Sequence, residues 1–309
     1  IHKDHYVWMD RFTIRNLELF SSTNEGAVTL IDVLDNTKSP MGGRMLRRWL
    51  ALPLKDVNHI KLRHQIVDEI FSDDVITDLL IKEIRAIGDL ERLISKVATL
   101  RINPRECFRL KDALLSLKPI KNLCNITNVN ALRDILNKID LCVSIISKIE
   151  TEISDDPPLL IHKGNVIKTG FNKELDDLRS IQSSGKDFLN KILDREVKNT
   201  GINSLKISFN NVFGYYLEVR NKYKDQVPSN WIRKQTLVNA ERYITEELKE
   251  YENKIISAED KIQTIESRLY NDLVQSLTEF IEPIQINANL VSQLDCLLSF
   301  SLIAKKNNY

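Results

Sequence analysis

The run from Thr245 to Tyr270, TEELKEYENKIISAEDKIQTIESRLY, decides the fold. Leu248, Tyr251, Ile255, Ala258, Ile262, Ile265 and Leu269 recur at alternating spacings of three and four, the a and d positions of successive heptads. A helix lying on a broad core carries a wider apolar stripe, so this narrow one reads as the seam of a two-helix coil. Thr245 supplies an N-cap, and Glu246 and Glu247 suit the positive end of the helix dipole.

The most economical partner is a helix over residues 172–199, with Leu175, Leu178, Ile181, Phe188 and Ile192 near one seam. The two helices flank a short insert and would therefore run antiparallel. At about 1.5 Å per residue, the first would hold its tip roughly 40 Å from its base. Ser183-Ser184-Gly185 interrupts that helix, and two readings stand open: a kink, or close packing on the partner. Between the helices, the period changes to two. Leu205, Ile207 and Phe209 alternate with Lys206 and Ser208, and Asn210-Asn211 can form a tight turn. Then Phe213, Tyr215, Leu217 and Val219 alternate with Tyr216, Glu218 and Arg220. A β-hairpin within a small antiparallel sheet is predicted.

Outward from this arm the chain is helical. Ser39-Pro40 places an N-cap before a proline at the first helical position, and the run reaches Leu52 before Pro53 closes it. Further helices are predicted near residues 56–71, 75–100, 104–122 and 128–153. Tyr6 to Met9 and Phe12 to Phe20 read as one or two short strands. Asp155-Asp156-Pro157-Pro158 is the strongest break, because consecutive prolines deny both helix continuation and ladder donors. The composition agrees: among 309 residues, 28% are charged and only 9 are Gly and 8 Pro, which leaves little material for turns.

Several functions are excluded on chemical grounds. Net charge is +1, so the chain as a whole is no polycation, and any nucleic-acid affinity must be local. No apolar run approaches the ~20 residues of a membrane span, and residue 1 is Ile with no signal-like stretch after it, so a soluble segment of a longer protein is expected. Cys107, Cys124, Cys142 and Cys296 form no C-x-x-C pair and are read as free thiols of a reduced cytosol. His59 and His64 are five apart, on different helical faces, so no zinc site is expected. Gly185-Lys186 fails the phosphate-loop pattern at both ends, and no G-x-S-x-G elbow occurs. Asp155-Asp156 and Asp176-Asp177 read as solvated charge. No catalytic constellation emerges, and no metal or cofactor is expected in this segment.

The local charge that remains lies in the insert. Residues 201–243 carry seven cations against three acids, a charge of +4, together with seven of the chain's 21 aromatics. Arg220, Lys222, Lys224, Arg233, Lys234 and Arg242 can neutralise phosphates, and Asn210, Asn211 and Asn239 can donate to phosphate oxygens without reading bases. The plainer reading is a solvated sheet over a small aromatic core, and for the individual aromatics that reading is the stronger.

Several strings also resemble the MutS family of DNA mismatch repair proteins, in its bacterial form. They are Thr13 to Phe20, Thr29 to Asp35, Ser39-Pro40-Met41-Gly42-Gly43-Arg44 through Leu50, Asp89-Leu90-Glu91-Arg92, and Val166 to Phe171 with Glu174-Leu175-Asp176 and Leu178-Arg179. In the insert they are Phe209-Asn210, Phe213 to Val219, Arg233-Lys234-Gln235-Thr236-Leu237 and Asn239 to Tyr243. In order they cover nearly the whole chain. The resemblance implies a mainly α fold: a helical core with a long antiparallel two-helix lever arm bearing a small antiparallel β clamp domain at its tip. It places the core and lever at 1–185 and 250–309 and the clamp at 186–249. It implies a segment that holds double-stranded DNA without sequence preference, inside a cytoplasmic parent that is a homodimer, binds MutL and uses ATP and magnesium. The segment itself would be no enzyme, because the family's mismatch-reading wedge would lie N-terminal to it and the P-loop C-terminal. Phe280-Ile281-Glu282 matches the wedge letters at the end of a long helix and is read as chance. The isolated segment is expected to be a monomer. The rival from another class is a structural coiled arm with a protein-binding tip, as in chromosome-organising ATPases.

Overall fold

The computed structural model describes residues 6–309 apart from Glu25, Ser184, Asn211 and Phe213. It is mostly helical, with one four-stranded antiparallel sheet among the described residues. The chain divides into two compact units, Ile1–Leu160 with Asn271–Tyr309, and Ile161–Tyr270. The first contains α1 (Arg11–Asn16), α2 (Leu30–Leu34), α3 (Pro40–Ala51), α4 (Val57–Ser72), α5 (Asp74–Ile87), α6 (Leu90–Ala98), α7 (Pro104–Leu115), α8 (Leu117–Asn122), α9 (Asn130–Asn137) and α10 (Val143–Glu152). The second contains α11 (Lys173–Ser183), α12 (Gly185–Thr200), β1 (Lys206–Asn210), β2 (Gly214–Arg220), β3 (Ile232–Thr236) and β4 (Ala240–Ile244). The boundary between the units then falls within α13 (Glu246–Leu277), and α14 (Ile281–Asn307) belongs to the first unit.

In the first unit, Ser39 caps α3 as its sequence requires, its hydroxyl accepting from the Gly42 N–H at 3.0 Å with Pro40 at the helix start. The strands expected between Tyr6 and Phe20 do not form. A lone antiparallel bridge joins Tyr6 to Leu54, and Asp10 caps α1 by accepting from the Thr13 N–H at 2.7 Å. An N-cap acid with a satisfied helical turn outweighs apolar alternation that finds no neighbouring strand. The predicted helices at 75–100, 104–122 and 128–153 each divide in two. Gly88 ends α5 at φ +64°, and Asp89 caps α6 through the Arg92 N–H at 3.1 Å. Ser116 parts α7 from α8, and Cys142, at φ +48°, precedes α10.

The core of this unit is built on α14, which packs against α2, α3, α4, α5 and α6. It is apolar nearly all round: the most apolar part of Glu246–Asn307 is long and apolar enough to cross a membrane, yet 72% of it is buried, as in a core helix. Its buried polar residues tie down the surrounding chain. The Asp295 carboxylate accepts from the Lys38 N–H at 2.7 Å, the Ser39 N–H at 2.8 Å and the Ser39 hydroxyl at 2.7 Å, so it orients the residue that caps α3. Ser299 accepts from the Asn36 N–H and donates to the Leu34 carbonyl, both at 2.7 Å. Asn287 accepts from the Asp140 N–H at 2.9 Å and donates to its carbonyl at 2.7 Å. Gly42 admits this close approach, since a Cβ there would lie 2.0 Å from an Asp295 carboxylate oxygen.

In the second unit the sheet runs in the order β1-β2-β4-β3. Leu217 opposite Tyr243 and Val219 opposite Glu241 share one face, and Glu218 opposite Arg242 shares the other. The first face joins Ile192, Ile202, Leu205, Trp231 and Leu248 in a core flanked by Phe188, Leu189 and Val197. Side-chain contacts between α11, α12 and α13 follow antiparallel order. Arg179 pairs with Glu266, Gln182 donates to Glu259 at 3.1 Å, Phe188 stacks on Tyr251 at 4.3 Å, and Arg195 pairs with Glu247. On α13 Leu248, Tyr251, Ile255, Ala258, Ile262 and Ile265 are buried and Leu269 is half-buried, while Glu266 and Tyr270, outside the three-and-four spacing, are buried as well. On the facing helices Leu175 and Ile192 are buried, but Ile181 is 43% exposed, and the neighbouring Gln182, also exposed, bonds to Glu259. Ser184, on which the kink or packing readings turn, lies outside the described residues. Asp176 also departs from its solvated reading: it is half-buried and accepts from the Gly170 N–H at 2.8 Å.

Candidate nucleic-acid interface

The β2–β4 pairing opposes Arg220 to Ala240, so the end of β2, the turn that follows it and the β3–β4 turn meet at one end of the sheet. A short 3-10 turn over Asn221–Gln226 carries Lys222 and Lys224 there. Two bonds fasten it to the neighbouring turn: the Asn221 N–H donates to the Asn239 carbonyl at 3.2 Å, and its side-chain amide donates to the Val238 carbonyl at 2.9 Å. Arg220, Lys222, Lys224 and Asn239 are all exposed at this end. Lys222 lies 4.4 Å from the Tyr223 ring centre, and neither it nor Arg220 makes an ion pair among the described residues. These three cations and one amide form a cluster whose long side chains can reach a polyanion without first breaking a hydrogen-bonded pair.

The remaining candidates are distributed differently. Arg233 is exposed but pairs with Glu241 at 3.1 Å. Arg242 is committed to the sheet: its guanidinium donates to the Gln235 side chain at 2.8 Å, faces Glu218 at 3.6 Å and covers the Tyr216 ring at 4.5 Å. Lys234 is exposed at the irregularity where the β3–β4 register shifts between Arg233 and Gln235. Asn210 lies at the opposite end of the sheet, opposite Gly214, and its side chain accepts from the Val212 N–H at 2.8 Å to close its own turn. Asn211 lies outside the described residues. The structure therefore gathers Arg220, Lys222, Lys224 and Asn239, holds Arg233 and Arg242 in pairs, and sets Asn210 apart.

Charge in the module is balanced through Glu241. The Tyr243 hydroxyl donates to its carboxylate, and Tyr243 with Arg233 holds Glu241 below the usual glutamate range, while Lys224 adds a weaker pull. Burial, then this bond to an anion, pushes the Tyr243 hydroxyl up to about 12. Sequence reading missed Asn221, which joins the two turns, and Val238, 91% exposed beside Asn239. The only available signal was their position in the loop; the cross-turn bonds depend on strand register. It also missed why Gly214 follows the turn. At φ +73° with Glu252 of α13 pressed against it, a Cβ there would lie 1.9 Å from the carboxylate.

Among the described residues no group of three or more His, Cys, Asp or Glu side chains could hold a metal ion. The four cysteines are free thiols, and burial pushes Cys107 and Cys142 up to about 12 and Cys296 further. These three buried thiols are inert rather than nucleophilic.

The first unit is helical, and the second combines helices with a small antiparallel sheet that carries exposed cations at one end. The family model for MutS domain III matches residues 12–301, and this chain belongs to that family. Along its whole length it is 56% identical to the DNA mismatch repair protein MutS of Parabacteroides distasonis, 57% to that of Flavobacterium johnsoniae and 50% to that of Cytophaga hutchinsonii. The chain spans 36% of the length of each of these relatives.

Proposed function

We propose that this chain is the DNA-clamping and lever segment of a mismatch-repair protein. The β-module, taken as the clamp domain at 186–249, holds the phosphodiester backbone of double-stranded DNA without reading bases. The antiparallel set of α11, α12 and α13 acts as the lever, and the helical unit couples it to an ATP- and magnesium-dependent cycle in the rest of a dimeric parent. The observation that carries the reading is the gathering of Arg220, Lys222, Lys224 and Asn239 at one end of a small sheet, with no carboxylate paired to Arg220 or Lys222 among the described residues. Backbone contact by such side chains supplies affinity through counterion release and orientation without sequence information. The names of the relatives, all DNA mismatch repair proteins, support the same role.

The test is a duplex titration at two salt concentrations, with two unrelated sequences, on this chain and on the triple variant Arg220→Gln/Lys222→Gln/Lys224→Gln. The parent sequence should bind both duplexes alike, and the triple variant should lose up to about 0.9 of log–log salt slope for each phosphate contact removed. An unchanged slope, or a marked preference for one sequence, overturns the assignment. Gel filtration in the same buffers checks the rival directly, since a protein-binding tip would self-associate and ignore DNA.

A further inference from the structure

Arg63 of α4 lies with its guanidinium carbon 3.4 Å from the centre of the Trp49 ring of α3, half-buried. Stacking occupies one face of the guanidinium plane and leaves its edge, with the N–H fork, available for in-plane bonding. No hydrogen bond or ion pair of that fork exists among the described residues, and the ionisable groups acting on Arg63 are the Cys296 thiol and the Tyr6 phenol, neither of them a carboxylate. Its burial lowers its pKa, the signature of a cation stripped of water without a counter-charge. Arg63 lines a pocket of about 170 Å³ together with Tyr6, Arg48, Asn289 and Gln293. Arg48 is exposed and unpaired among the described residues, while the Gln293 side chain donates to the Asn289 side-chain oxygen at 2.6 Å, which leaves the Asn289 amide nitrogen as a further donor.

We propose that this pocket of the helical unit is a carboxylate-recognition site, taking an aspartate or glutamate side chain presented by polypeptide outside this chain. The chemistry selects the ligand. Two guanidinium groups and an amide donor, with no acid among the described lining residues, ask for a planar oxyanion that accepts two parallel N–H bonds, and a carboxylate meets that geometry. At about 170 Å³ the pocket has room for a carboxylate on a short stem. A surface pair with one arginine already stacked and partly desolvated costs less ordering than one between two mobile side chains. Relatives of this chain are nearly three times its length, so polypeptide that could present such a side chain exists in proteins of this kind.

The experiment titrates the chain with blocked glutamate, N-acetyl-glutamate N-methylamide, and follows arginine Nε–H resonances by NMR. The Arg63 signal is identified by its absence from Arg63→Gln. Blocked glutamate should shift that signal saturably, blocked glutamine should not, and Arg48→Gln should weaken the response several-fold while the melting temperature stays unchanged. Arg63→Lys, which keeps charge but loses the fork, also lacks that signal and serves for the assignment if Arg63→Gln fails to fold. A shift with blocked glutamine, or no saturable shift at all, overturns the site and leaves the Arg63–Trp49 stack as packing alone. Acetate binding as tightly as blocked glutamate overturns the polypeptide source in favour of a small free anion.

Discussion

Asp295 concentrates at one residue what holds the helical unit together. It is fully buried, it accepts three bonds that fix the α3 cap, and Gly42 leaves it room. Asp295→Ala should strand these donors and lower the stability of the chain by about 3 kcal/mol, read by chemical denaturation. The pH dependence has a definite sign. Burial outweighs the three bonds and raises its pKa above 3.8, so the folded state holds this proton where the unfolded state has released it. Its stabilising contribution is therefore full below that value and falls as pH rises toward the folded pKa. The stability difference between wild type and Asp295→Ala should accordingly be largest in acid and shrink as pH rises; a difference that grows with pH would refute the assignment. Nothing in the sequence marks Asp295 for this role, since its partners stand more than 250 positions away. The Ser39-Pro40 cap it supports was legible, because capping is local and fixed by two adjacent residues.

Elements in the second unit meet through two contacts that can be separated by mutation. At Gly214 an alanine adds both left-handed strain and overlap with Glu252, whereas at Gly201, φ +72°, it adds strain with open space around it. Gly201→Ala should cost about 1 kcal/mol and Gly214→Ala about 1–3 kcal/mol more. Gly214→Ala combined with Glu252→Ala should recover most of that excess in a double-mutant cycle; a purely additive cycle would show that the turn alone sets the cost. Between α11 and α13, Glu266 is fully buried against Arg179, which also donates to the Ile167 carbonyl at 2.8 Å. Arg179→Ala leaves that carboxylate uncompensated and should cost about 3–5 kcal/mol, while Arg179→Leu/Glu266→Leu should melt closer to wild type. Equal losses in the single and double variants would mean that packing, not charge, decides. The α13 seam was legible because its three-and-four spacing is written in one continuous helix. The facing residues were less so: Ile181 shares the apolar spacing of Leu175, Leu178 and Ile192, yet it is 43% exposed.

For the whole molecule, near-neutral net charge means that, on the proposed reading, duplex affinity depends on which cations of the β-module are free. The sequence showed their number and place but not their pairing, because partners across strands are set by register, including the shift between Arg233 and Gln235. Six basic residues that composition treats alike thus divide into classes. Arg220 and Lys222 are unpaired, Lys224 and Lys234 are exposed, Arg233 is held by Glu241, and Arg242 is held by Gln235 and Glu218 over Tyr216. Non-specific affinity of the isolated chain should lie near the weak end, about 10⁻⁴ M at physiological salt. Within it, Arg220→Gln/Lys222→Gln should reduce the salt slope by nearly two contacts. Arg233→Gln/Lys234→Gln should reduce it by about one, because Arg233 must give up a carboxylate before it can meet a phosphate. Arg242→Gln should scarcely change the slope and should instead lower the unfolding midpoint, since it uncovers Tyr216 and leaves Glu218 without its cation. Fluorescence anisotropy on a labelled duplex, with a urea melt of each variant, measures both quantities. Equal slopes for the two double variants would show that the ion pairs of the free module do not persist on DNA, and the cluster at the end of β2 would lose its claim to be the contact.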